Sequence, residues 1–170
     1  MKEILFVVAP SNFKDEEYFI PREVLMNNNI KVVTVSTQKN TRSAKGEGVS
    51  SSLILRDIED ISQYFGIVFI GGPGAEVYFN DVKAKNLARR FYENNKVVGA
   101  ICIAPSILAN AGILEGKKAT CLPSEESNLR DKGCDYTGAG VEVDGNIVTT
   151  NGPGAAQEFG ERILGRLKEI

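Results

Sequence analysis

Short apolar, β-branched runs alternate along the chain with longer stretches in which apolar residues recur every three or four positions. The short runs at residues 4–9, 31–36, 67–70, 97–102 and 147–150 predict strands. Several are apolar throughout, as expected of strands covered on both faces. The longer stretches predict helices near residues 15–28, 82–94, 105–111, 125–132 and 155–168. Strands separated by helices imply an α/β fold with a mainly parallel sheet. A short strand is expected around residues 119–121, and residues 141–148 predict a hairpin closed at Asp144-Gly145 by a type I′ turn. Residues 38–52, rich in Ser, Lys, Thr and Gly, read as a loop. No repeat or linker interrupts the pattern, so residues 1–170 read as one domain.

Composition narrows the functional classes. Hydrophobic residues make up 42% and charged residues 25%, ordinary for a globular domain able to bury a core. A net charge of −2 with cations and acids interspersed offers no basic face for nucleic acid, and the cations of residues 83–90 read as a solvated helix face. No apolar run reaches the roughly 18–20 residues of a membrane span. The first run is too short and too β-branched for a secretory signal, so the cytoplasm is the expected compartment. Three widely spaced cysteines, Cys102, Cys121 and Cys134, suggest neither a disulfide framework nor a zinc site. Histidine is absent. Cys-His dyads, Ser-His-Asp triads and imidazole ligands are therefore excluded within this chain, and no metal or cofactor is expected.

One segment carries a chemical signal. In Val97-Val98-Gly99-Ala100-Ile101-Cys102-Ile103-Ala104-Pro105 a buried strand runs into a helix with almost no connecting loop. A nucleophile on such a turn needs small residues two positions before and after it, as Ala100 and Ala104 provide. Pro105 suits a first helical turn. Placed at a helix N-terminus, Cys102 is expected to have a lowered thiol pKa. The plain alternative is an inert core cysteine. Cys121, at a strand end, is a candidate second thiol.

Open α/β sheets bind ligands beyond the carboxyl ends of their strands. There the first strand leads to Asp15-Glu16-Glu17 and a helix containing Pro21, which is expected to kink the helix and turn Glu17 toward the cleft. A buried, protonated Glu17 could hydrogen-bond the Cys102 sulfur. Acids favoured by the helix dipole explain the same triplet. After residues 67–70 comes Gly71-Gly72-Pro73-Gly74, which is neither a dinucleotide nor a P-loop fingerprint. These glycines either serve the turn or let backbone approach Cys102, with the Gly72 and Ile103 N–H groups as an oxyanion hole.

Taken together, Asp15-Glu16-Glu17 with Pro21, Phe69-Ile70-Gly71-Gly72, residues 100–105 and Asn151-Gly152-Pro153-Gly154 resemble the ThiJ/PfpI family, or DJ-one superfamily. The resemblance spans nearly the whole chain. It implies a flavodoxin-like three-layer sandwich, a class I glutamine amidotransferase-like fold with a nucleophile elbow, and assembly as a homodimer or larger homo-oligomer. By position Cys102 matches the reactive cysteine, Glu17 the acid bonded to it, and Gly72 and Ile103 the oxyanion hole. Ile103 and Leu122 stand where subgroups of the family carry histidine, so peptidase activity is the least supported. The expected activity is cysteine-dependent conversion of small reactive carbonyls or their adducts, of glyoxalase or deglycase type. Oxidation of Cys102 by an oxidant in a redox sensor, and a partner-binding relative with a decayed site, are the alternatives.

Overall fold

The computed structural model describes residues 1–170. In chain order its strands are β1 (Lys2–Val7), β2 (Ser11–Phe13), β3 (Ile30–Ser36), β4 (Asn40–Ser43), β5 (Gly48–Ser50), β6 (Leu53–Ile54), β7 (Tyr64–Phe69), β8 (Val97–Ile101), β9 (Lys118–Ala119), β10 (Asp135–Tyr136), β11 (Val141–Asp144) and β12 (Ile147–Thr150). The helices are α1 (Asp15–Met26), α2 (Val82–Glu93), α3 (Pro105–Asn110), α4 (Glu126–Asp131) and α5 (Ala156–Leu167). A seven-stranded sheet runs in the order β11-β12-β8-β7-β1-β3-β6. Only β11 is antiparallel, as the mainly parallel expectation requires.

Two core clusters cover the sheet's two faces. One joins strand residues such as Leu5, Val7 and Ile67 to α2, α3 and α4. The other joins Ile4, Phe6 and Val68 to α1 and α5 through Tyr18, Leu25, Phe159 and Ile163. Alternate residues of β1 thus enter opposite clusters, the two-residue period of a strand buried on both faces. This is the three-layer sandwich of the flavodoxin-like class. No helix is long and apolar enough to cross a membrane.

Three local expectations are corrected. Residues 38–52 are not simply loop: β4 and β5 pair antiparallel, and β4 joins β2 in a small three-stranded sheet. Polar side chains secure it, with Thr41 Oγ1 donating to the Val49 carbonyl at 2.6 Å and Ser51 Oγ to that of Gln38 at 2.7 Å. Second, α1 runs through Pro21 without interruption, and Pro21 lies on its buried face. There it packs on α5 at Gly160, where an added Cβ would fall 2.9 Å from the Pro21 Cα. Third, the β11–β12 turn centres on Gly145-Asn146, one residue later than expected. Only Gly145 has positive φ, which fits a type II′ turn and not type I′.

Candidate functional site

The carboxyl ends of β1, β7 and β8 meet at one place. β8 ends at Ile101 because Cys102 swings to φ +66°, a left-handed conformation uncommon outside glycine. Its backbone is pinned on both sides: the N–H donates to the Thr150 carbonyl at 2.9 Å, and its carbonyl accepts from Leu122 N–H at 2.8 Å. Ala100 and Ala104 are fully buried, in keeping with the small residues an elbow needs. Pro105 opens α3, which is only six residues long.

Glu17 reaches this elbow from the first turn of α1. It sits on the buried stripe Glu17, Tyr18, Pro21 and Leu25, so the helix's ordinary spacing aims it inward and no kink is needed. Its side chain is wholly buried, and neither carboxyl oxygen has a partner meeting hydrogen-bond geometry. Burial raises its pKa from 4.5 to about 7, while the Cys102 thiol, the Gly71 N–H and Lys14 pull the other way.

Gly71 makes the meeting possible. A Cβ there would lie 2.5 Å from Glu17 Oε1, 2.6 Å from the Ile101 carbonyl oxygen and 2.7 Å from Cys102 Cβ. Gly72, at φ +97°, turns the chain away from β7, and the Lys14 N–H donates to the Gly71 carbonyl at 3.1 Å. That bond ties the start of α1 to the end of β7.

The structure thus brings together all four residues singled out at this cleft. The Gly72 and Ile103 N–H groups both act on the Cys102 sulfur in the direction that favours thiolate. The expected lowering of the thiol pKa is nonetheless corrected. Burial, followed by the charge of Glu17, pushes it up to about 12. A one-and-a-half-turn helix beginning three residues later does not offset that desolvation.

Around the sulfur lies a cleft of about 490 Å³. Lys14, Glu76, Ser124 and Glu125 stand on its walls, and Pro153 of the Gly152-Pro153-Gly154 turn lines it as well. Leu122 is there as well, a hydrocarbon without proton-transfer capacity. The wall residues escape sequence reasoning because they are isolated side chains on turns with no diagnostic spacing. Cys121 is fully buried in the core cluster formed with α2, α3 and α4, whereas Cys102 belongs to the α1 and α5 cluster. Cys121 is therefore not a second thiol of this cleft. No group of three or more Cys, Asp or Glu side chains is disposed to hold a metal ion.

Comparison with known proteins bears on the family and the fold. An uncharacterized protein of Methanocaldococcus jannaschii is 41% identical over 167 residues, covering 95% of this chain and 80% of that one. A protein named deglycase from Pyrococcus horikoshii is 30% identical over 152 residues, covering 89% and 90%. The crystal structure of a ThiJ/PfpI domain protein from Brachyspira murdochii superposes with a TM-score of 0.95 at 32% identity, over 99% of this chain and 97% of that one. The model of the DJ-1/PfpI family matches residues 2–166. With likeness in sequence and in fold extending over almost its full length, the chain belongs to the DJ-1/PfpI family.

Proposed function

We propose that the chain is a cysteine-dependent enzyme acting on small reactive carbonyls or their adducts, in the manner of a glyoxalase or deglycase. The observation that carries this reading is the convergence on one sulfur of a buried, unpartnered carboxyl and two backbone N–H groups. A thiol held near 12 carries little standing thiolate at neutral pH, so the sulfur must lose its proton as it attacks. Glu17, near half titration at neutral pH, is placed to take it. The Cys102 sulfur bonds to the aldehyde carbon, and the thiol proton passes to Glu17. The carbonyl oxygen becomes an alkoxide facing the Gly72 and Ile103 N–H groups, then accepts a proton to give a hemithioacetal. With methylglyoxal, moving the C–H hydrogen of the hemithioacetal to the ketone carbon and its hydroxyl proton to the ketone oxygen yields a lactoyl thioester. Water then releases lactate and restores the thiol, and no oxidant is consumed.

The name of the Pyrococcus horikoshii relative supports this class of chemistry. The reading includes one domain over residues 1–170 and a cytoplasmic homo-oligomer, which light scattering checks. Lactate formation from methylglyoxal tests the activity. Wild-type protein should turn over and Cys102→Ser should lose at least about a thousandfold. Equal turnover by the two would end the proposal.

A second reading, redox sensing, is favoured by the raised Glu17 carboxyl, whose protonated form can donate a hydrogen bond to an oxidised sulfur. Two hydrogen peroxide molecules would each add one oxygen to Cys102, taking the thiol through sulfenic to sulfinic acid, and each would leave as water. Intact mass after mild peroxide should then show that gain in wild type and its loss in Glu17→Ala. Prior oxidation of Cys121 or Cys134 would rule it out.

A further inference from the structure

Glu125 is held in the cleft by a network that the chemistry at the sulfur does not use. It follows Leu122, whose N–H is bonded to the Cys102 carbonyl, so its turn departs directly from the elbow. Ser106, fully buried in α3, donates to Glu125 Oε1 at 2.7 Å, and Ser124 Oγ donates to Oε2 at 3.2 Å. Asn128 donates to Ser106 Oγ at 3.1 Å and to Asn110 Oδ1 at 3.0 Å, and Asn110 donates to the Phe79 carbonyl at 2.8 Å. Glu125 occupies the N-cap position of α4, yet its side chain makes no capping bond. Helix capping is thus not what the carboxylate does. It is fixed instead at the cleft wall.

The charges facing the cleft are few. Lys14 is the one cation, against Glu76 and Glu125, before the charge of the Cys102–Glu17 pair is added. None of the molecule's ion pairs involves Lys14, Glu76 or Glu125. The field of Lys14 is directed at Glu16 and Glu17, both of whose pKa values it lowers. Independently, Glu17 is wholly buried in the same lining and faces the Cys102 thiol and the Gly71 N–H without a completed hydrogen bond to either, which marks the cleft as a place that receives another molecule.

We propose that this cleft selects by charge: Glu125, pinned by Ser106, and Glu76 favour uncharged or cationic carbonyl compounds at Cys102 and disfavour carboxylate-bearing ones such as α-oxo acids. The inference rests on the proposed function for the word carbonyl, but the selection concerns any molecule approaching the sulfur.

Methanethiosulfonates test it without turnover. Each transfers its thiolate half to the cysteine as a mixed disulfide and releases methanesulfinate. Rates at Cys102 are followed by peptide mass spectrometry at low ionic strength with anionic sulfonatoethyl and cationic trimethylammonioethyl reagents. The same pair on β-mercaptoethanol gives the intrinsic preference. Beyond that preference, the cationic reagent should lead about tenfold, and half-molar salt should shrink the lead to about twofold. Glu125→Gln should narrow it about threefold, and Glu76→Gln, on an exposed turn, should narrow it less. A ratio equal to that of the free thiol, or one indifferent to salt and to both substitutions, overturns the proposal. Absence of lactate formation would overturn the proposed function and leave these rates readable. Turnover with no charge preference would do the reverse.

Discussion

The first turn of α1 carries two buried acids, two residues apart, that face different regions. Asp15 points to the small sheet, where Ser43 Oγ donates to its Oδ2 at 2.6 Å and the Lys45 N–H to its Oδ1 at 3.1 Å. Ser43 Oγ also accepts from the Glu47 N–H at 2.9 Å, so the β4–β5 turn is fastened to the helix. Glu17 points to the cleft and has no such partners. Same chemistry and same turn lead to opposite outcomes. A buried acid with both oxygens bonded holds the fold, whereas one left unbonded in a desolvated place costs stability and remains available for proton transfer.

The contrast breaks most visibly at Glu17. Glu17→Gln should lower turnover by about 10²–10⁴-fold, since the group that receives the thiol proton is lost. The same change should stabilise the protein at higher pH. The folded state binds the Glu17 proton more tightly than the unfolded state, with a pKa of about 7 against 4.5. The contribution of Glu17 is thus neutral below about 4.5, turns unfavourable as pH rises to about 7, and is constant beyond, a loss on the order of 3 kcal/mol. Urea denaturation of wild type and variant at pH 4 and pH 8 should show a gap that opens only at the higher pH. A gap of equal size at both would refute this account.

Gly71→Ala sharpens the contrast from the other side. Its methyl would press on Glu17 Oε1 and on the Ile101 carbonyl, which is backbone and cannot swing aside. A loss of about 2 kcal/mol and about 4–8 °C in melting temperature is expected, together with impaired turnover. An unchanged thermal scan would show that the three neighbours have room to yield. Asp15→Ala should cost about 1–3 kcal/mol by leaving the Ser43 hydroxyl and Lys45 N–H without their acceptor. Turnover per folded molecule should stay within about threefold of wild type, because Asp15 does not line the cleft. A collapse of activity in folded Asp15→Ala would erase the distinction between the two acids.

Much of this arrangement is legible in the chain itself. The main strands and all five helices follow from hydrophobic periodicity, and the elbow from Ala100, Ala104 and Pro105 around one cysteine. What escapes depends on distance in sequence. β4 and β5 carry no apolar alternation, since their support comes from polar side chains and from β2. The need for Gly71 arises only when Glu17 and Ile101 arrive beside it. The thiol pKa reverses its expected direction because a strand-to-helix junction says nothing about how deeply the sulfur is buried. Glu125 takes its place through Ser106, which reads as an ordinary helix residue.

The left-handed backbone at Cys102 has a dynamic consequence. A non-glycine residue held there costs roughly 1–2 kcal/mol, so the hydrogen bonds to Thr150 and Leu122 must clamp a segment that relaxes when released. Local opening of the β8–α3 junction would carry the sulfur away from the Gly72 amide and from Glu17 at once. The elbow is therefore a place where breathing motions and chemistry compete, and protection of the Cys102 and Ala104 amide hydrogens from exchange reports how long the site stays assembled.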